Sequence, residues 1–329
     1  MKVLVTGGTG FTGKALVKRL LNTGHQVVAL DNKQGIKTDE LKQWGAQVEI
    51  GSVTDVGLVG RLMKGIEVVH HLAAAFRELD VPNSYYEEVN IEGTRVVLEA
   101  AKNEGVKRFI YCSTCGVHGN VQDPPANEDS PIAAADYYQQ TKYEAEPIVR
   151  RYSDGAMKTV ILRPAAIYGP GDPERFGMIF RRVAKGLFPI FGSGKTLYHP
   201  LYIDSFIDVF MTVMADGMGD GRVYLIADEE YLEIEELVKK VAVALGVEVR
   251  LPHFPFLPLK LAAVTTELVC KPIGVKPPIF PRRVDWYIQN RAFDVARAKK
   301  ELNYHPTVGI DEGLRHTADW YRAEGYLSS

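Results

Sequence analysis

Three cysteines among 329 residues are too few for a disulfide scaffold, and they point to a reducing, cytoplasmic setting. Charge of one sign is also lacking. Lys plus Arg number 39 against 41 for Asp plus Glu, a formal charge of −2, so the broad basic field of a nucleic-acid binder is missing. No run approaches the ~20 apolar residues that span a bilayer. The nearest, 254–273, holds Lys260, Glu267, Lys271 and several prolines, and reads as a buried or surface-seeking helix. The apolar run at the N-terminus is too short for a signal-peptide core. His70 and His71 are adjacent, so on a strand they point to opposite faces, and no metal site is expected. With 46% apolar and 24% charged residues the chain is globular, and its length suggests two domains.

What is present is an alternation of strand and helix patterns. Lys2–Val5, Gln26–Leu30, Val48–Ile50, Val68–Leu72, Arg108–Tyr111 and Thr159–Leu162 read as strands, with helices over Lys14–Leu21, Tyr85–Asn103 and Tyr138–Tyr152. Unalternated Val, Ile and Leu suit strands buried on both faces, and the repetition predicts an α/β fold with a doubly wound parallel sheet. After about Pro164 turns become denser. Asp204–Ala215 and Val223–Ala227 are expected to return to the sheet, and Glu233–Leu245, Asp294–Leu302 and Gly309–Glu324 to form helices of a smaller, mixed C-terminal domain. The expected division is 1–164 with 200–228 for one domain, and 165–199 with 229–329 for the other.

Gly7, Gly10 and Gly13 follow a G-x-x-G-x-x-G spacing between the first strand and the first helix. Such glycines permit a tight turn and close approach of a pyrophosphate to the helix N-terminus. Asp31 ends the second strand about 20 residues on, where a carboxylate takes both ribose hydroxyls of NAD and repels a 2′-phosphate; Lys33 nearby weakens that preference, and NAD is favoured over NADP. Two other motifs are decoys. Gly192-Ser193-Gly194-Lys195-Thr196 imitates a P-loop, but Pro189 stands where its first glycine belongs. Cys112-Ser113-Thr114-Cys115 is formally C-x-x-C, but it ends a strand and lacks the helix N-terminus that activates a redox thiol.

Tyr138 and Lys142 form Y-x-x-x-K, four apart and so on one helix face. A nearby ammonium favours the phenolate, which makes Tyr138 a candidate general base for an alcohol, or acid for a ketone. Ser113 and Thr114 close a central strand, at the sheet end where ligands bind.

These motifs, in this order, resemble the extended short-chain dehydrogenase/reductases over nearly the whole chain. Thr6–Gly13 is similar to their cofactor loop, His71-Leu72-Ala73-Ala74 to their H-L-A-A strand end, and Val89–Thr94 to their V-N-x-x-G-T helix. Phe109–Thr114 matches the strand carrying the active-site Ser or Thr, and Leu162-Arg163-Pro164 with Ile167–Asp172 is similar to L-R-P-x-x-x-Y-G-P-G-D. The resemblance implies that Thr114 hydrogen-bonds the substrate oxygen, Tyr138 moves the proton, and Lys142 binds the nicotinamide ribose and tunes Tyr138. It implies cofactor contacts from Gly7, Gly10, Phe11, Thr12, Gly13, Asp31, Asn32, Ser52, Val53, Leu72, Ala73, Ala74, Asn90, Ser113, Tyr138, Lys142 and the backbone around Pro164. Substrate contacts are expected from Phe76, Cys115, Ala166, Arg175, Phe191, Tyr198 and Arg282. It also implies a homodimer through the Tyr85–Asn103 and Tyr138–Tyr152 helices, acting on a small molecule. Two departures stand out: Ser52 follows Gly51, with Asp55 beyond it, where that family places an adenine-binding Asp directly after the glycine, and His118 replaces a tyrosine.

Two reactions compete within this class. One interconverts a ring secondary alcohol and ketone, as in 3β-hydroxysteroid dehydrogenases and dihydroflavonol reductases. The other is a nucleotide-sugar 4-epimerase or dehydratase with tightly held NAD, favoured by Asp31-Asn32 and by Phe188–Gly194. Against it, Ala165 and Ala166 stand where those enzymes carry an Asn, and Leu197 and Tyr198 where they often carry an Arg. A non-catalytic NAD sensor is a third reading, which the intact Thr114, Tyr138 and Lys142 set opposes. The oxidoreductase is the preferred expectation.

Overall fold

The computed structural model describes residues 1–35, 38–76, 81–153, 155–172, 175–270, 272, 274–275 and 277–327, with the backbone alone at 175, 282 and 283. In chain order the first half comprises β1 (Lys2–Thr6), α1 (Phe11–Asn22), β2 (Gln26–Asp31), α2 (Thr38–Gln43), β3 (Gln47–Ile50), α3 (Val56–Met63), β4 (Val68–His71), α4 (Asn83–Glu87), α5 (Gly93–Asn103), β5 (Arg108–Cys112), α6 (Tyr137–Arg151) and β6 (Lys158–Pro164). The second half comprises β7 (Ala166–Tyr168), α7 (Arg175–Val183), β8 (Ile190–Phe191), β9 (Leu197–Tyr198), β10 (Pro200–Tyr202), α8 (Ile203–Thr212), β11 (Val223–Ile226), β12 (Leu232–Glu233), α9 (Ile234–Leu245), β13 (His253–Phe254), α10 (Phe256–Cys270), α11 (Pro281–Val284), α12 (Ala296–Leu302) and α13 (Ile310–Ala323).

Seven strands form one sheet in the order β11-β6-β5-β4-β1-β2-β3, every pairing parallel. Parallel strands require crossovers, and helices supply them on both faces. Side chains alternate between the two layers. Val3, Val5, Val160 and Leu162 join the apolar cluster that contains Leu16 and Leu20 of α1 and Phe206 and Phe210 of α8. Leu4, Val69, Tyr111 and Ile161 join the cluster of Leu58 and Leu62 of α3, Val97 and Leu98 of α5 and Val149 of α6. Each such aliphatic side chain removed from water contributes roughly 1.5–3 kcal/mol, which explains why unbroken apolar runs mark these strands. The doubly wound α/β fold is therefore as expected.

Two elements differ from expectation. Val223–Ile226 is the seventh strand, but 203–212 returns as helix α8, packed on α1, because Ile203, Phe206, Ile207 and Phe210 recur at helical spacing and are buried together. The expected helix over Tyr85–Asn103 is interrupted by a π-turn at Glu88–Glu92. The wider turn carries Val89 and Asn90 into the interior, and the Thr94 hydroxyl donates to the Asn90 carbonyl at 2.7 Å. Among the remaining elements α9 packs on α7 and α13, while small strand pairs join β7 to β10, β8 to β13 and β9 to β12.

Candidate active site

β1 lies between β2 and β4, so the direction of winding reverses at its carboxyl end, and a crevice opens there. The glycine turn sits at this point. Gly7 donates its N–H to Leu30 O at 2.8 Å with φ +70°, a backbone region open to glycine, and a Cβ on it would lie 2.9 Å from Ala73 N. A Cβ on Gly13 would lie 2.0 Å from Gly7 O, so the turn and α1 close on each other only with glycine at both places. Gly8, which motif spacing does not single out, presses on Ala29 in the same way. α1 has no side-chain cap at Gly10 and no acidic residue in its first turn. Its first amides and positive dipole end, beginning with Phe11 and Thr12, are thus left for an anion.

Asp31 ends β2 beside this turn. Thr9 donates to its Oδ2 through both N–H (3.0 Å) and hydroxyl (2.8 Å), and Asn32 N–H donates to Oδ1 at 2.9 Å. Thr9, which the motif reading passed over, therefore fixes the orientation of this carboxylate. Asn32 reaches Tyr85 Oη at 3.4 Å. Ser52 and Thr54 share a hydroxyl contact of 2.7 Å, and Val53 is buried against Gly93. Asp55 accepts from Leu58 N at 2.9 Å and caps α3, so this carboxylate is committed to the helix. Leu72, Ala73 and Ala74 form the loop after β4, and Ala73 N donates to Thr6 Oγ1 at 3.2 Å.

Asn90 is fully buried, and its amide is consumed by the protein. Its Oδ1 accepts from Ala75 N at 2.8 Å, and its Nδ2 donates to Thr141 Oγ1 at 2.9 Å and Ala75 O at 3.3 Å. Expected as a cofactor contact, it instead ties the Ala75 loop to α6. His71 is likewise committed, between Thr6 Oγ1 at 2.7 Å and Thr94 Oγ1 at 3.0 Å, and burial pushes its pKa down to about 3. His70 lies on the opposite face against Phe210.

The catalytic candidates converge from β5 and α6. Thr114 opens the short helical turn Cys115–His118, and its Oγ1 accepts from Gly116 N at 3.0 Å, which leaves the hydroxyl proton for a substrate oxygen. That turn packs on Gln139, the neighbour of Tyr138: a Cβ on Gly116 would lie 3.1 Å from the Gln139 side chain. Asp136 caps α6 by accepting from Gln139 N at 2.9 Å, which sets the phase of Tyr138 and Lys142. The Tyr138 ring packs on Phe76, centroids 4.8 Å apart. Lys142 is 1% exposed; its Nζ has no hydrogen-bond partner among the described residues and lies 4.1 Å from the centroid of the Tyr111 ring. Burial pulls its pKa down to about 8, partly opposed by Cys112 and Glu146. An ammonium buried without an acceptor is costly, and a ribose diol supplies the missing acceptors, so the residues present fit a dinucleotide.

Behind these groups lies a network that the motifs did not reveal. Ser113 Oγ donates to Glu146 Oε1 at 2.7 Å, so this hydroxyl faces away from the crevice; Arg163 holds the same carboxylate at 2.9 and 2.6 Å and contacts His118 Nε2 at 3.1 Å. Glu146 lies four residues after Lys142, and that spacing was the available signal. Neither Cys112 nor Cys115 is in a disulfide, and burial pushes Cys112 up to about 11, which removes the redox reading of that pair.

The expected substrate residues separate. Phe76 is exposed beside Tyr138, and Cys115 begins the turn after Thr114. Pro164 ends β6, and Ala166 is buried in β7. Tyr198 is buried between Phe176 and Trp286, so it builds the core. Phe191 packs on Phe254 and Tyr287. The side chains of Arg175 and Arg282 lie outside the described residues.

A doubly wound sheet with an uncapped glycine turn at its switch point, and a Thr–Tyr–Lys set beside it, defines a nicotinamide-dinucleotide enzyme. The chain belongs to the NAD dependent epimerase/dehydratase family, whose model matches residues 3–227. It is an enzyme of the extended short-chain dehydrogenase/reductase type. It is 30% identical to a 3β-hydroxysteroid-dehydrogenase/decarboxylase isoform of Arabidopsis thaliana, with 96% of this chain aligned and 61% of the length of that relative spanned. It is 29% identical to the 2-alkyl-3-oxoalkanoate reductase of Stenotrophomonas maltophilia, covering 96% of this chain and 98% of that one. Among solved structures, the UDP-glucose 4-epimerase of Thermotoga maritima with UDP-glucose superposes with a TM-score of 0.79 at 26% identity, covering 98% of this chain and 99% of that one. No helix among the described residues is long and apolar enough to cross a membrane.

Proposed function

We propose that the protein is an NAD-dependent oxidoreductase that interconverts a ring secondary alcohol and its ketone. The observation that carries the reading is the buried, unpartnered Lys142 ammonium on the same helix face as Tyr138, with the Thr114 hydroxyl on the turn packed against that helix. NAD, when bound, supplies the hydride acceptor. It would be held by the amides of α1, by Asp31 at the adenosine ribose and by Lys142 at the nicotinamide ribose. Thr114 holds the substrate oxygen by donating its hydroxyl proton. Tyr138 Oη takes the alcohol proton, or returns it to the ketone, and the Lys142 charge favours its phenolate. The Asp31 carboxylate would repel a 2′-phosphate, which supports NAD over NADP.

Two features support a steroid- or flavonoid-like substrate over a nucleotide sugar. The aromatic face of Phe76 borders Tyr138. The positions at which epimerases place an Asn and an Arg for a diphosphate hold Ala165, Ala166, Leu197 and the core-bound Tyr198. The second reading, a nucleotide-sugar 4-epimerase or dehydratase, is favoured by the likeness to the UDP-glucose 4-epimerase. We also infer that 1–164 with 200–228 forms the cofactor unit and 165–199 with 229–329 the substrate unit, that the chain works in the cytoplasm, and that it pairs as a homodimer through the helical segments of 85–103 and 138–152. A thermal-shift screen with NAD present, setting UDP-sugars against steroid and flavonoid alcohols, tests the substrate class. Stabilisation by the alcohols supports the proposal, and stabilisation by UDP-sugars alone overturns it.

A further inference from the structure

Thr114 sits between two ties to one buried ion pair. Just before it, Ser113 Oγ donates to Glu146 Oε1 at 2.7 Å. Beyond it, His118 ends the short helical turn and meets Arg163 Nη1 through Nε2 at 3.1 Å. His118 Nδ1 lies 3.1 Å from the Pro131 carbonyl. A carbonyl only accepts, so the ring proton is on Nδ1 and Nε2 takes the hydrogen bond from Arg163. Burial, then the Arg163 charge, lowers the pKa of this imidazole, which keeps it neutral beside the guanidinium. Arg163 in turn grips Glu146 through Nε at 2.9 Å and Nη2 at 2.6 Å, with the two side chains 2 and 1% exposed. Such a bidentate pair has one geometry, and it passes that geometry to both ends of the turn.

Glu146 belongs to α6, four residues beyond Lys142 and eight beyond Tyr138. One carboxylate therefore joins the helix that carries Tyr138 and Lys142 to the turn that carries Thr114. It is also a negative charge acting on Lys142. Around that ammonium, besides Tyr138, burial holds His71 at about 3 and pushes the Cys112 thiol up to about 11. Burial also keeps the Tyr111 phenol well above its ordinary range. None of these three is charged near neutral pH. Burial pulls Lys142 down to about 8 against the opposing pull of Cys112 and Glu146, and of those two only the Arg163-paired Glu146 is ionised at pH 7. We propose that Glu146 is a positioning residue of the active site, which fixes Thr114 against α6 and keeps the Lys142 ammonium charged. Its effect on rate rests on the oxidoreductase reading above, whereas its effect on Lys142 does not.

The test is an NMR titration of Lys142 in the full chain, labelled with carbon-13 at lysine Cε and assigned by the resonance lost in Lys142→Met. Glu146→Gln keeps the shape of the side chain and removes its charge, so the Lys142 midpoint should fall by at least about half a pH unit. Ser113→Ala cuts the tie to the turn but leaves the ion pair, so that midpoint should stay within about 0.2 unit of wild type. In turnover with NAD and a ring alcohol, both variants should lower kcat at least about fivefold with KM changed by less than about twofold, the pattern of a displaced Thr114 rather than of weakened binding. An unchanged Lys142 midpoint in Glu146→Gln, or an undiminished kcat in Ser113→Ala, overturns the proposal, and the second variant decides whether or not the first one folds. A wild type that oxidises no ring alcohol, with the midpoint shifted as expected, counts against the oxidoreductase reading alone and supports the role of Glu146 at Lys142.

Discussion

The ammonium of Lys142 sits 4.1 Å from the centroid of the Tyr111 ring, 1% exposed and without a hydrogen-bond acceptor among the described residues, while Tyr111 Oη donates to the Lys142 carbonyl at 3.2 Å. Tyr111 on β5 thus holds both ends of a residue on α6. The ring face offsets part of the cost of burying the charge. The remainder is a desolvation cost, which a ribose bound as proposed would relieve.

A stability signature follows from that cost. The folded pKa of Lys142 is lowered to about 8 from 10.5. Between those values the unfolded chain binds the proton and the folded chain does not, so this group makes stability rise with pH across that window, and its cost is fully present below about 8. Lys142→Met should therefore raise stability at pH 7 by about 1–3 kcal/mol while abolishing turnover, and the gain should shrink as pH climbs from 8 toward 10. Paired urea titrations of wild type and variant at several pH values check both the sign and the window.

Gly13→Ala should damage the cofactor turn specifically. The new methyl would lie 2.0 Å from Gly7 O, a backbone atom, so Gly7 and α1 must part. Dinucleotide affinity should fall at least about tenfold, with a loss of stability on the order of 1–3 kcal/mol. Calorimetric titration with NAD measures the first and thermal unfolding the second.

Asp31 should set the choice of dinucleotide. Replacing it by Ala removes the anion that Thr9 and Asn32 hold at the end of β2. Asp31→Ala should shift the ratio of NADP to NAD affinity toward NADP by at least about tenfold, or roughly 1.4 kcal/mol. An unchanged ratio would remove Asp31 from the ribose site.

Much of this arrangement was legible in the chain, and the part that was not has a physical pattern. Gly7 to Gly13, Asp31 and Tyr138 with Lys142 are readable because a turn, a strand end and one helix face are local geometries. Asn90 misled because its role depends on the π-turn at Glu88–Glu92, which no spacing rule anticipates, and on partners at Ala75 and Thr141. Asp55 stands out in the sequence only as a departure from the resemblance, although an Asp three residues before Leu58 carries an N-cap signature. The Ser113–Glu146–Arg163–His118 network joins residues 17 to 45 positions apart, so it exists only once the sheet has formed. The run at 254–273 reads as a buried or a surface-seeking helix, and only the fold shows that Leu257, Leu261, Leu268 and Val269 on it are exposed.

That buried network should matter for stability. Glu146→Ala would strand the Arg163 guanidinium, 2% exposed, and leave Ser113 Oγ without its acceptor. Removing one partner of a buried pair costs about 3–5 kcal/mol. Urea denaturation should show a loss of that size, and Glu146→Gln, which keeps the shape and some of the hydrogen bonds, should lose less.

The central claim is that Thr114, Tyr138 and Lys142 carry out net oxidation or reduction. A single-turnover measurement of reduced-nicotinamide absorbance, made with NAD and whichever ring alcohol stabilises the protein, tests it most directly. The account predicts one reduced nicotinamide per ketone formed in the wild type, and a rate lowered about 10²–10⁴-fold in Tyr138→Phe with NAD affinity retained. Conversion of a UDP-sugar to its epimer with no net reduced nicotinamide, or undiminished turnover in Tyr138→Phe, would contradict it.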